Sequence, residues 1–425
     1  MNNADILSLE RLAAAANGEI RLEKRVYTLT RTWHLPSDIR LVGNGATLQM
    51  SPGTEGNLLA ITDGSDVVLE DLTLRGYLGE ALTASTSGID RFLLRIQRSE
   101  RIRLRDVRVL EHQYTAVHCS DVRELTVTDC TFSQLGLPTA YDRYPLYSYD
   151  GIFIGGYRRS GQILIEGCTF DRIGTHEVYT TNTVGDDGDG IHLQTPKSGV
   201  LSNVTVRNCI FNACSARGIK VQSGSHLQLN RNVFTNCRAG IELSMANPVS
   251  DISIRNNTFS KGYHAWGTNG ADMIATGVTF ADNRMSKLDH VYRSSGGSVL
   301  ANSIIADNVA EELQRYFVDG IFRSCRIENN TVRQFGLAED KSYYMAVMIA
   351  DGSEGVVLDR NILHTRAKTA TAIYIKPGTK NITLEDNDIL LPAGKLSTAY
   401  GIYCPNRPSA EFLSKNTIKQ AAPPN

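Results

Sequence analysis

An eight-residue pattern recurs along most of the chain and constrains its fold more than any other feature. Each copy runs apolar, polar, apolar, polar, polar, then a small or amide residue, a variable residue and a closing apolar residue. The most closely spaced copies lie 22 to 26 residues apart, a period typical of the coils of a parallel β-helix. We therefore predict an all-β fold, a right-handed parallel β-helix. The copies span 67–74, 102–109, 125–132, 163–170, 204–211, 227–234, 252–259, 278–285, 303–310, 325–332, 356–363, 382–389 and 412–418.

The sixth position of the pattern is predicted to point into the helix and to stack on itself from coil to coil. An inward amide can hydrogen-bond to the same position above and below, which satisfies polar groups that are buried. The later copies therefore predict an asparagine ladder. The position holds Leu72, Val107, Cys130, Cys168, Cys209, Asn232, Asn257, Asn283, Asn308, Asn330, Asn361, Asn387 and Asn416.

The cysteines follow the same repeat. Cys130, Cys168 and Cys209 hold one inward position, and Cys214 and Cys237 form a second pair. Stacked strands lie ~4.8 Å apart, which is slightly wide for the Cβ atoms of a disulfide. We therefore expect free, buried thiols rather than a disulfide scaffold.

The chain ends complete the predicted solenoid. Residues 1–18 are expected to form a capping helix, with Asp5 as N-cap and Ile6, Leu9 and Leu12 on its apolar face. Residues 419–425 are expected to be a frayed tail. The whole chain, 1–425, is predicted to be a single domain.

Charge and hydropathy argue against two classes of partner. The formal net charge is −1, from 44 Lys and Arg against 45 Asp and Glu, so we expect no nucleic-acid or membrane binding. The first 20 residues lack the pattern of a signal peptide. We expect action outside the cell after loss of an export signal, with a cytoplasmic location as the open alternative. No feature indicates an oligomeric state.

A second strand follows most ladder strands and carries the candidate site. Side chains alternate in and out along a strand, so the residue after each inward Ile or Val is predicted to face solvent. This gives one outward column: His118, Phe153, His192, Lys220, Glu242, Tyr292, Met348, Tyr374 and Tyr403.

Polar and charged residues converge at the middle of this column. His192, Lys220 and Glu242 lie on three consecutive coils. The flanking residues are Gln194, Gln222 and Ser244 two positions later, Arg217 and Arg238 just before the strands, and the acids Asp150, Asp186, Asp187 and Asp189 at the strand entrances. We interpret this convergence as a substrate site with Gln194, Gln222 and Arg238 as binding residues.

Two long coils support the same location. Residues 133–149 and 173–188 are predicted to be active-site loops, because insertions on one side of a solenoid build its binding face. The first loop carries Tyr144, Tyr147 and Tyr149. These rings are candidates for stacking on sugar, and packing on one another is an equal alternative.

Structural interpretations of these residues also stay open. An Asp at a tight turn, such as Asp186, is often only a turn-forming residue. An outward Lys220–Glu242 pair is often a solvated ion pair of small energy. The functional interpretation depends on the convergence of acids, cations and long loops.

The fold pattern resembles the pectin-lyase-like superfamily over nearly the whole chain. The segments DGIFI, DDGDGIHL and RGIKV resemble lysine-base pectate lyases of polysaccharide lyase family nine. The resemblance implies Asp150, Asp187 and Asp189 as acid ligands of Ca²⁺ and Lys220 as the base. The sequence departs from the family at His192, where a metal-binding Asp is expected, and Ca²⁺ prefers six to eight oxygen ligands.

The residues themselves predict an enzyme of the same kind, a polysaccharide lyase. β-Elimination in a uronate needs a neutral base for the C5 proton and a cation beside the carboxylate. Lys220 is the candidate base, Arg217 supplies the cation, and His192 or a loop tyrosine protonates the departing oxygen. Glu242 beside Lys220 would oppose the neutral amine. The predicted partner is an acidic polysaccharide such as pectate or alginate.

Two other functions remain as alternatives. Polygalacturonases share this fold and hydrolyse with paired carboxylates, which Asp150 with Asp186–Asp187, or Asp189 with Glu242, resemble. A solenoid that only binds glycan, without catalysis, is the second alternative.

Overall fold

Strands and one helix account for the described part of the chain. The computed structural model describes residues 4–78 except 53 and 55, 91–136, 150–174, 188–244 except 197 and 198, 249–338, 344–392 except 366, 368 and 369, 400–405 and 414–420. No helix among these residues is long and apolar enough to span a membrane.

The chain divides into two compact units. Unit 1 comprises Met1–Gln228 with Asn236–Arg238, and unit 2 comprises Leu229–Thr235 with Ala239–Asn425. After helix α1 (Ala4–Ala15) come β1 (Glu19–Arg21), β2 (Val26–Leu29), β3 (Trp33–His34), β4 (Arg40–Met50), β5 (Leu59–Thr62), β6 (Ser65–Arg75), β7 (Leu94–Gln97), β8 (Glu100–His112), β9 (Val117–Ser120), β10 (Arg123–Thr128), β11 (Thr131–Leu135), β12 (Ile152–Gly155), β13 (Arg159–Glu166), β14 (Thr169–Ile173), β15 (Ile191–Gln194), β16 (Val200–Arg207), β17 (Ile210–Cys214), β18 (Arg217–Val221) and β19 (Gly224–Asn230).

The remaining strands are shorter on average. They are β20 (Val233–Thr235), β21 (Ala239–Ser244), β22 (Val249–Arg255), β23 (Thr258–Asn269), β24 (Ile274–Ala281), β25 (Arg284–Ser295), β26 (Val299–Ala301), β27 (Ile304–Ala306), β28 (Val309–Glu311), β29 (Tyr316–Arg323), β30 (Arg326–Glu328), β31 (Thr331–Arg333), β32 (Met345–Ile349), β33 (Val357–Asp359), β34 (Ile362–His364), β35 (Thr371–Ile375), β36 (Thr383–Glu385), β37 (Asp388–Leu391), β38 (Tyr400–Tyr403) and β39 (Thr417–Gln420).

Within each unit the strands stack in parallel, one coil above the next. In unit 1, β12 pairs with β9 on one side and β15 on the other, and β15 pairs with β18. In unit 2, β29 pairs with β25 and β32, and β32 pairs with β35. These pairings confirm the predicted parallel β-helix.

The asparagine ladder is present in unit 2. The side chain of Asn283 donates to Oδ1 of Asn308 at 3.0 Å, and that of Asn308 donates to Oδ1 of Asn330 at 2.9 Å. The Asn308 amide also donates to the carbonyl of Phe280 at 3.0 Å, while its own Oδ1 accepts the backbone N–H of Asn283. The Asn308 side chain therefore satisfies buried polar groups on the coil before it and on the coil after it.

A left-handed residue precedes most ladder positions and makes the turn that sends the ladder side chain inward. Its φ lies between +50° and +66°, a region in which Asp, Asn and Gly are favoured over other residues. The composition of this position follows from that constraint. It holds Asp71, Asp106, Asp129, Gly167, Asn208, Arg231, Asn256, Asp282, Asp307, Asn329, Arg360 and Asp386.

Apolar residues of the repeat fill the interior of each unit. The rings of Phe132, Phe170 and Phe211 stack in unit 1 with centroids 4.7 and 4.8 Å apart. In unit 2, Phe234 and Phe259 stack at 4.8 Å. All eight cysteines are free, and seven of them are buried, as predicted.

The N-terminal helix is confirmed, but its cap differs from the prediction. Asp5 lies inside the first turn of α1 and does not precede it. Its carboxylate instead accepts hydrogen bonds from the Arg25 guanidinium at 2.8 Å and the Thr28 backbone N–H at 2.9 Å. Ile6 and Leu9 are fully buried, whereas Leu12 is 42 % exposed. The helix therefore packs through a narrower apolar face than predicted.

The predicted frayed tail is partly ordered, and its first residues belong to the last strand. Strand β39 runs to Gln420 and pairs with β37, with Lys419 opposite Leu390. Residues 421–425 lie outside the described chain.

The predicted outward column was wrong at Tyr292. In β25 this residue is in register with Trp266 and Val318, its side chain is fully buried, and its hydroxyl lies 2.9 Å from that of Thr268. The prediction failed because the segment 290–293 of β25 lacks the Gly-Ile pair used for alignment, so alternation from Val291 placed Tyr292 outward. The column that contains Glu242 continues through Gly267, Arg293, Asp319, Met348, Tyr374 and Tyr403.

Candidate active site

Three strands of unit 1 set the frame of the candidate site. Ile152, Ile191 and Ile219 lie in register on β12, β15 and β18, and all three are fully buried. The next residue on each strand points to the opposite face, which aligns Phe153, His192 and Lys220. Two positions before each isoleucine lie Asp150, Asp189 and Arg217, so they too are neighbours on consecutive coils.

Asp189 lies at the centre of the charged groups. Its Oδ1 accepts the backbone N–H of Arg217 at 3.1 Å and lies 3.6 Å from the guanidinium of the same residue. Its Oδ2 lies 3.8 Å from the Lys220 ammonium. Burial raises the pKa of Asp189 to about 6, although Arg217 and Lys220 pull it down and the Asp150 carboxylate raises it.

His192 is held between two oxygen atoms. Its Nδ1 lies 3.4 Å from Oδ2 of Asp150, and its Nε2 lies 2.9 Å from Oε1 of Gln222. Its ring stands edge-on to Phe153, with centroids 5.1 Å apart. Burial lowers the pKa of His192, but the carboxylates of Asp150 and Asp189 outweigh burial and leave that pKa raised overall. An imidazolium can donate to both acceptors, so the contacts favour the protonated ring.

The cations lie closer to solvent than the carboxylates. Relative exposure of the side chain is 13 % for Arg217, 7 % for Lys220 and 4 % for His192, against zero for Asp150 and Asp189. We name these five residues the polar cluster. An anionic ligand that approaches it meets positive charge first.

The predicted solvent exposure of the column was wrong at its centre. His192 and Lys220 are 3 % and 6 % exposed, because each side chain folds against a carboxylate of the preceding coil. Glu242 lies on β21 in unit 2 and is 6 % exposed. Its predicted role, and that of the half-buried Arg238, remain predictions.

Several predicted binding residues have different or undescribed surroundings. Gln222 contacts His192, so its described role is to hold that ring. Gln194 is half-buried at the end of β15, opposite Gly155. The predicted ligands and binding residues that lie outside the described residues are Asp187, Tyr144, Tyr147 and Tyr149.

The predicted active-site loops begin later than expected. Residues 133–135 belong to strand β11, and residue 173 ends strand β14. The rest of both loops, except 136, 174 and 188, lies outside the described residues.

The described donors fit Ca²⁺ poorly. Asp150, Asp189 and His192 place one ligand atom each within 4.8 Å of one another, which gives two oxygens and one nitrogen. Ca²⁺ prefers six to eight oxygens. Arg217 and Lys220 also place two positive charges on the Asp189 carboxylate, where they would repel a divalent cation.

Sequence analysis missed Thr115, which lies one coil before Asp150 at the equivalent position. Its hydroxyl and the Asp150 carboxylate lie 3.3 Å apart, and the hydroxyl also accepts the Asp150 backbone N–H at 3.3 Å. Alignment of the segment 115–119 with 150–154 would have revealed it. Thr115 therefore fixes the carboxylate that faces His192.

Comparison with known proteins supports the fold. Residues 60–259 match the family model described as the right handed beta helix region. No curated protein matches the sequence. Among solved structures, the tailspike of E. coli bacteriophage HK620 in complex with pentasaccharide aligns with a TM-score of 0.60 at 10 % identity, over 97 % of this chain and 73 % of that one.

A second solved structure aligns comparably. The catalytic unit of GH87 alpha-1,3-glucanase from Streptomyces thermodiastaticus has a TM-score of 0.58 at 12 % identity, over 90 % of this chain and 66 % of that one. At identities this low, the two structural alignments support the fold only. The chemistry has to be inferred from the residues of the site. The chain has the right-handed parallel β-helix fold that its repeat predicts.

Proposed function

We propose that this protein cleaves a uronate-containing polysaccharide by β-elimination at the polar cluster. The observation that supports this most is the layering of three cations over two buried carboxylates. A substrate carboxylate finds its counter-charge at the surface of the cluster, and the two buried carboxylates do not repel it directly. The saccharide-bound tailspike and the glucanase are consistent with a polysaccharide substrate.

Arg217, Lys220 and His192 have separate roles in the elimination. Arg217 neutralises the substrate carboxylate and so makes the C5 proton more acidic. Lys220 in its neutral form takes that proton, and the C5–H electrons form the C4–C5 double bond as the C4–O bond breaks. The His192 imidazolium donates a proton to the departing oxygen. One proton is gained by Lys220 and one is lost by His192, so the step balances.

The two carboxylates position the reacting groups. Asp189 contacts both Arg217 and Lys220, and Asp150 contacts His192. The Asp189 carboxylate therefore holds the Lys220 side chain and the Arg217 guanidinium on the same side of the site. Because Asp150 favours the imidazolium, His192 stays an acid to higher pH than an isolated histidine would.

The first prediction concerns this pH dependence. Asp150→Asn removes a charge that raises the pKa of His192, so the imidazolium is lost at lower pH. We expect the alkaline limb of the kcat profile to move toward lower pH. Initial rates on a fixed substrate across pH would measure the shift, with Asp121→Asn, which changes a carboxylate outside the cluster, as the control. An alkaline limb that stays in place would contradict the role of Asp150.

The function itself is tested by product analysis. The protein is incubated with pectate, alginate and glycosaminoglycans, and ultraviolet absorbance of the unsaturated product is followed together with new reducing ends. We expect both to rise together on at least one uronate polymer. Reducing ends without absorbance would favour hydrolysis, and neither on the full panel would favour a binding protein.

Hydrolysis is the second candidate, and the Asp150–Asp189 pair favours it. Carboxyl oxygens of the two residues lie within 4.8 Å of each other, and burial raises the pKa of Asp189 to about 6. A carboxyl group that is partly protonated near neutral pH can serve as a general acid beside an ionised one. If the protein is a hydrolase, Asp189→Asn should abolish the release of reducing ends and Lys220→Ala should leave most of it.

A further inference from the structure

Unit 2 carries a row of aromatic rings with Arg293 over one end and Arg315 over the other, and the proposed elimination does not use them. The ring centroids of Tyr263 and His290 lie 5.1 Å apart, those of His290 and Tyr316 5.1 Å, and those of Tyr316 and Tyr344 5.7 Å. We name these four residues and Arg293 the arginine–aromatic patch. Tyr263, His290 and Tyr316 lie on β23, β25 and β29, and Tyr344 directly precedes β32, so the row crosses several coils.

Strand register explains why these residues meet. His290 on β25 is opposite Tyr316 on β29, and Arg293 is opposite Gly267 on β23 and Asp319 on β29. Neighbouring strands lie ~4.8 Å apart, which matches the spacing of the rings. Gly267 is buried, and a Cβ there would lie 2.7 Å from the Arg293 carbonyl oxygen and 3.4 Å from the His264 ring, so the close packing of these coils requires glycine.

The Arg293 guanidinium has more N–H donors than its described hydrogen bond uses. It is half-buried, it donates to the Tyr263 hydroxyl, and it lies 5.5 Å from the centroid of that ring. Among the described residues this hydroxyl is its one hydrogen-bond partner, and no carboxylate there forms an ion pair with it. A guanidinium carries five N–H donors. The remaining donors therefore suit an incoming anion.

Among the described residues no acid forms an ion pair with this arginine, although Asp319 on the next coil interacts with it electrostatically. Asp289 lies 3.6 Å from Arg315, so the positive charge of Arg315 compensates the charge of the Asp289 carboxylate. Burial raises the pKa of Asp319 to about 6, while Arg293 and Lys376 lower it. Burial also lowers the pKa of His290 well below its ordinary value, so this ring is neutral and adds an apolar surface.

We propose that the arginine–aromatic patch binds an acidic sugar residue. Arg293 takes the sugar carboxylate through paired N–H donors, which match a planar carboxylate. The half-buried rings of Tyr263 and Tyr316 contact the C–H groups of the pyranose, and their hydroxyls reach its oxygens. The choice of a uronate rests on the proposed function, whereas the recognition of an anionic sugar comes from the patch itself.

Binding is tested apart from cleavage, in the Lys220→Ala protein. Oligogalacturonate and oligoguluronate are titrated by calorimetry at fixed salt concentration, with a neutral cello-oligosaccharide as the uncharged probe. At least one acidic oligosaccharide should bind, and Arg293→Ala should weaken that binding on the order of 10- to 100-fold, since a hydrogen-bonded charge pair is lost. Arg255→Ala is the matched control, because Arg255 is a half-buried arginine of unit 2 that is paired with Asp282.

Two outcomes would contradict the proposal that the arginine–aromatic patch binds an acidic sugar residue. One is that neither acidic oligosaccharide binds the Lys220→Ala protein, and the other is that Arg293→Ala and Arg255→Ala bind equally well. If Arg293→Ala unfolds, Arg293→Lys replaces it, and we expect weakened binding because the charge stays and the paired donors go. Loss of elimination without loss of binding in Lys220→Ala supports both proposals. Full elimination activity in Lys220→Ala with weak binding in Arg293→Ala would sink the proposed function alone.

Discussion

Replacing Lys220 with alanine is expected to lower the rate of elimination by about 10²–10⁴-fold, the range that a positioned general base contributes. The ammonium lies 3.8 Å from the buried Asp189 carboxylate, and no other described residue of the polar cluster can take a proton from carbon as a neutral amine. The loss should fall on kcat more than on KM, because Arg217 still binds the substrate carboxylate. Initial rates on the best uronate polymer would measure it.

A matched variant separates this loss from a general loss of charge or stability. Lys24→Ala removes an exposed lysine from an early coil of unit 1 and should leave the rate unchanged. Thermal unfolding of both variants checks that the fold is kept, since Arg217 still compensates Asp189 when Lys220 is gone. A Lys220→Ala protein that is folded and retains more than about a tenth of the rate would contradict the role of Lys220 as base.

The second large effect is expected in the asparagine ladder. Asn308→Ala leaves the carbonyl of Phe280 and the amide of Asn283 without their buried partners, and it breaks the link to Asn330. Each buried polar group left unsatisfied costs about 1–3 kcal/mol. We therefore expect the free energy of unfolding to fall by about 3–5 kcal/mol, which chemical denaturation would measure.

The control for this variant is an asparagine outside the ladder. Asn269→Ala changes an exposed residue at the end of β23 and should alter the free energy of unfolding by no more than about 0.5 kcal/mol. Equal stability of the Asn308→Ala and Asn269→Ala proteins would mean that the ladder does not stabilise unit 2.

The coil repeat was predictable because its cause is local. A left-handed turn residue and an inward ladder residue leave a pattern in every copy, so Asp307–Asn308 is readable without any neighbour. The same logic failed where the pattern was absent. The segment 290–293, which contains Tyr292, lacks the Gly-Ile pair, so alternation assigned Tyr292 to the wrong face.

The sequence predicted which residues of the site share a column of the β-helix. It did not predict which side chains contact one another. Strand alternation places His192 and Lys220 on one face, because that depends only on backbone geometry. Their burial depends on side chains that reach diagonally to the preceding coil, to Asp150 and Asp189 respectively. Such reach depends on side-chain length and rotamer, which a periodic pattern does not encode. Thr115 differs, since its position could be aligned with Asp150, but a threonine there gave no sign of the contact between the two side chains.

The central claim is that the protein cleaves by elimination. The most direct test is whether oxygen from water enters the newly formed chain end. The protein is allowed to act on its best polymer in water labelled with heavy oxygen, and the products are weighed by mass spectrometry. Elimination takes no oxygen from water, so we predict unlabelled products whose new non-reducing end carries the C4–C5 double bond. Products that contain the heavy oxygen at the new reducing end, without a double bond, would show hydrolysis and contradict the assignment of Lys220 as an elimination base.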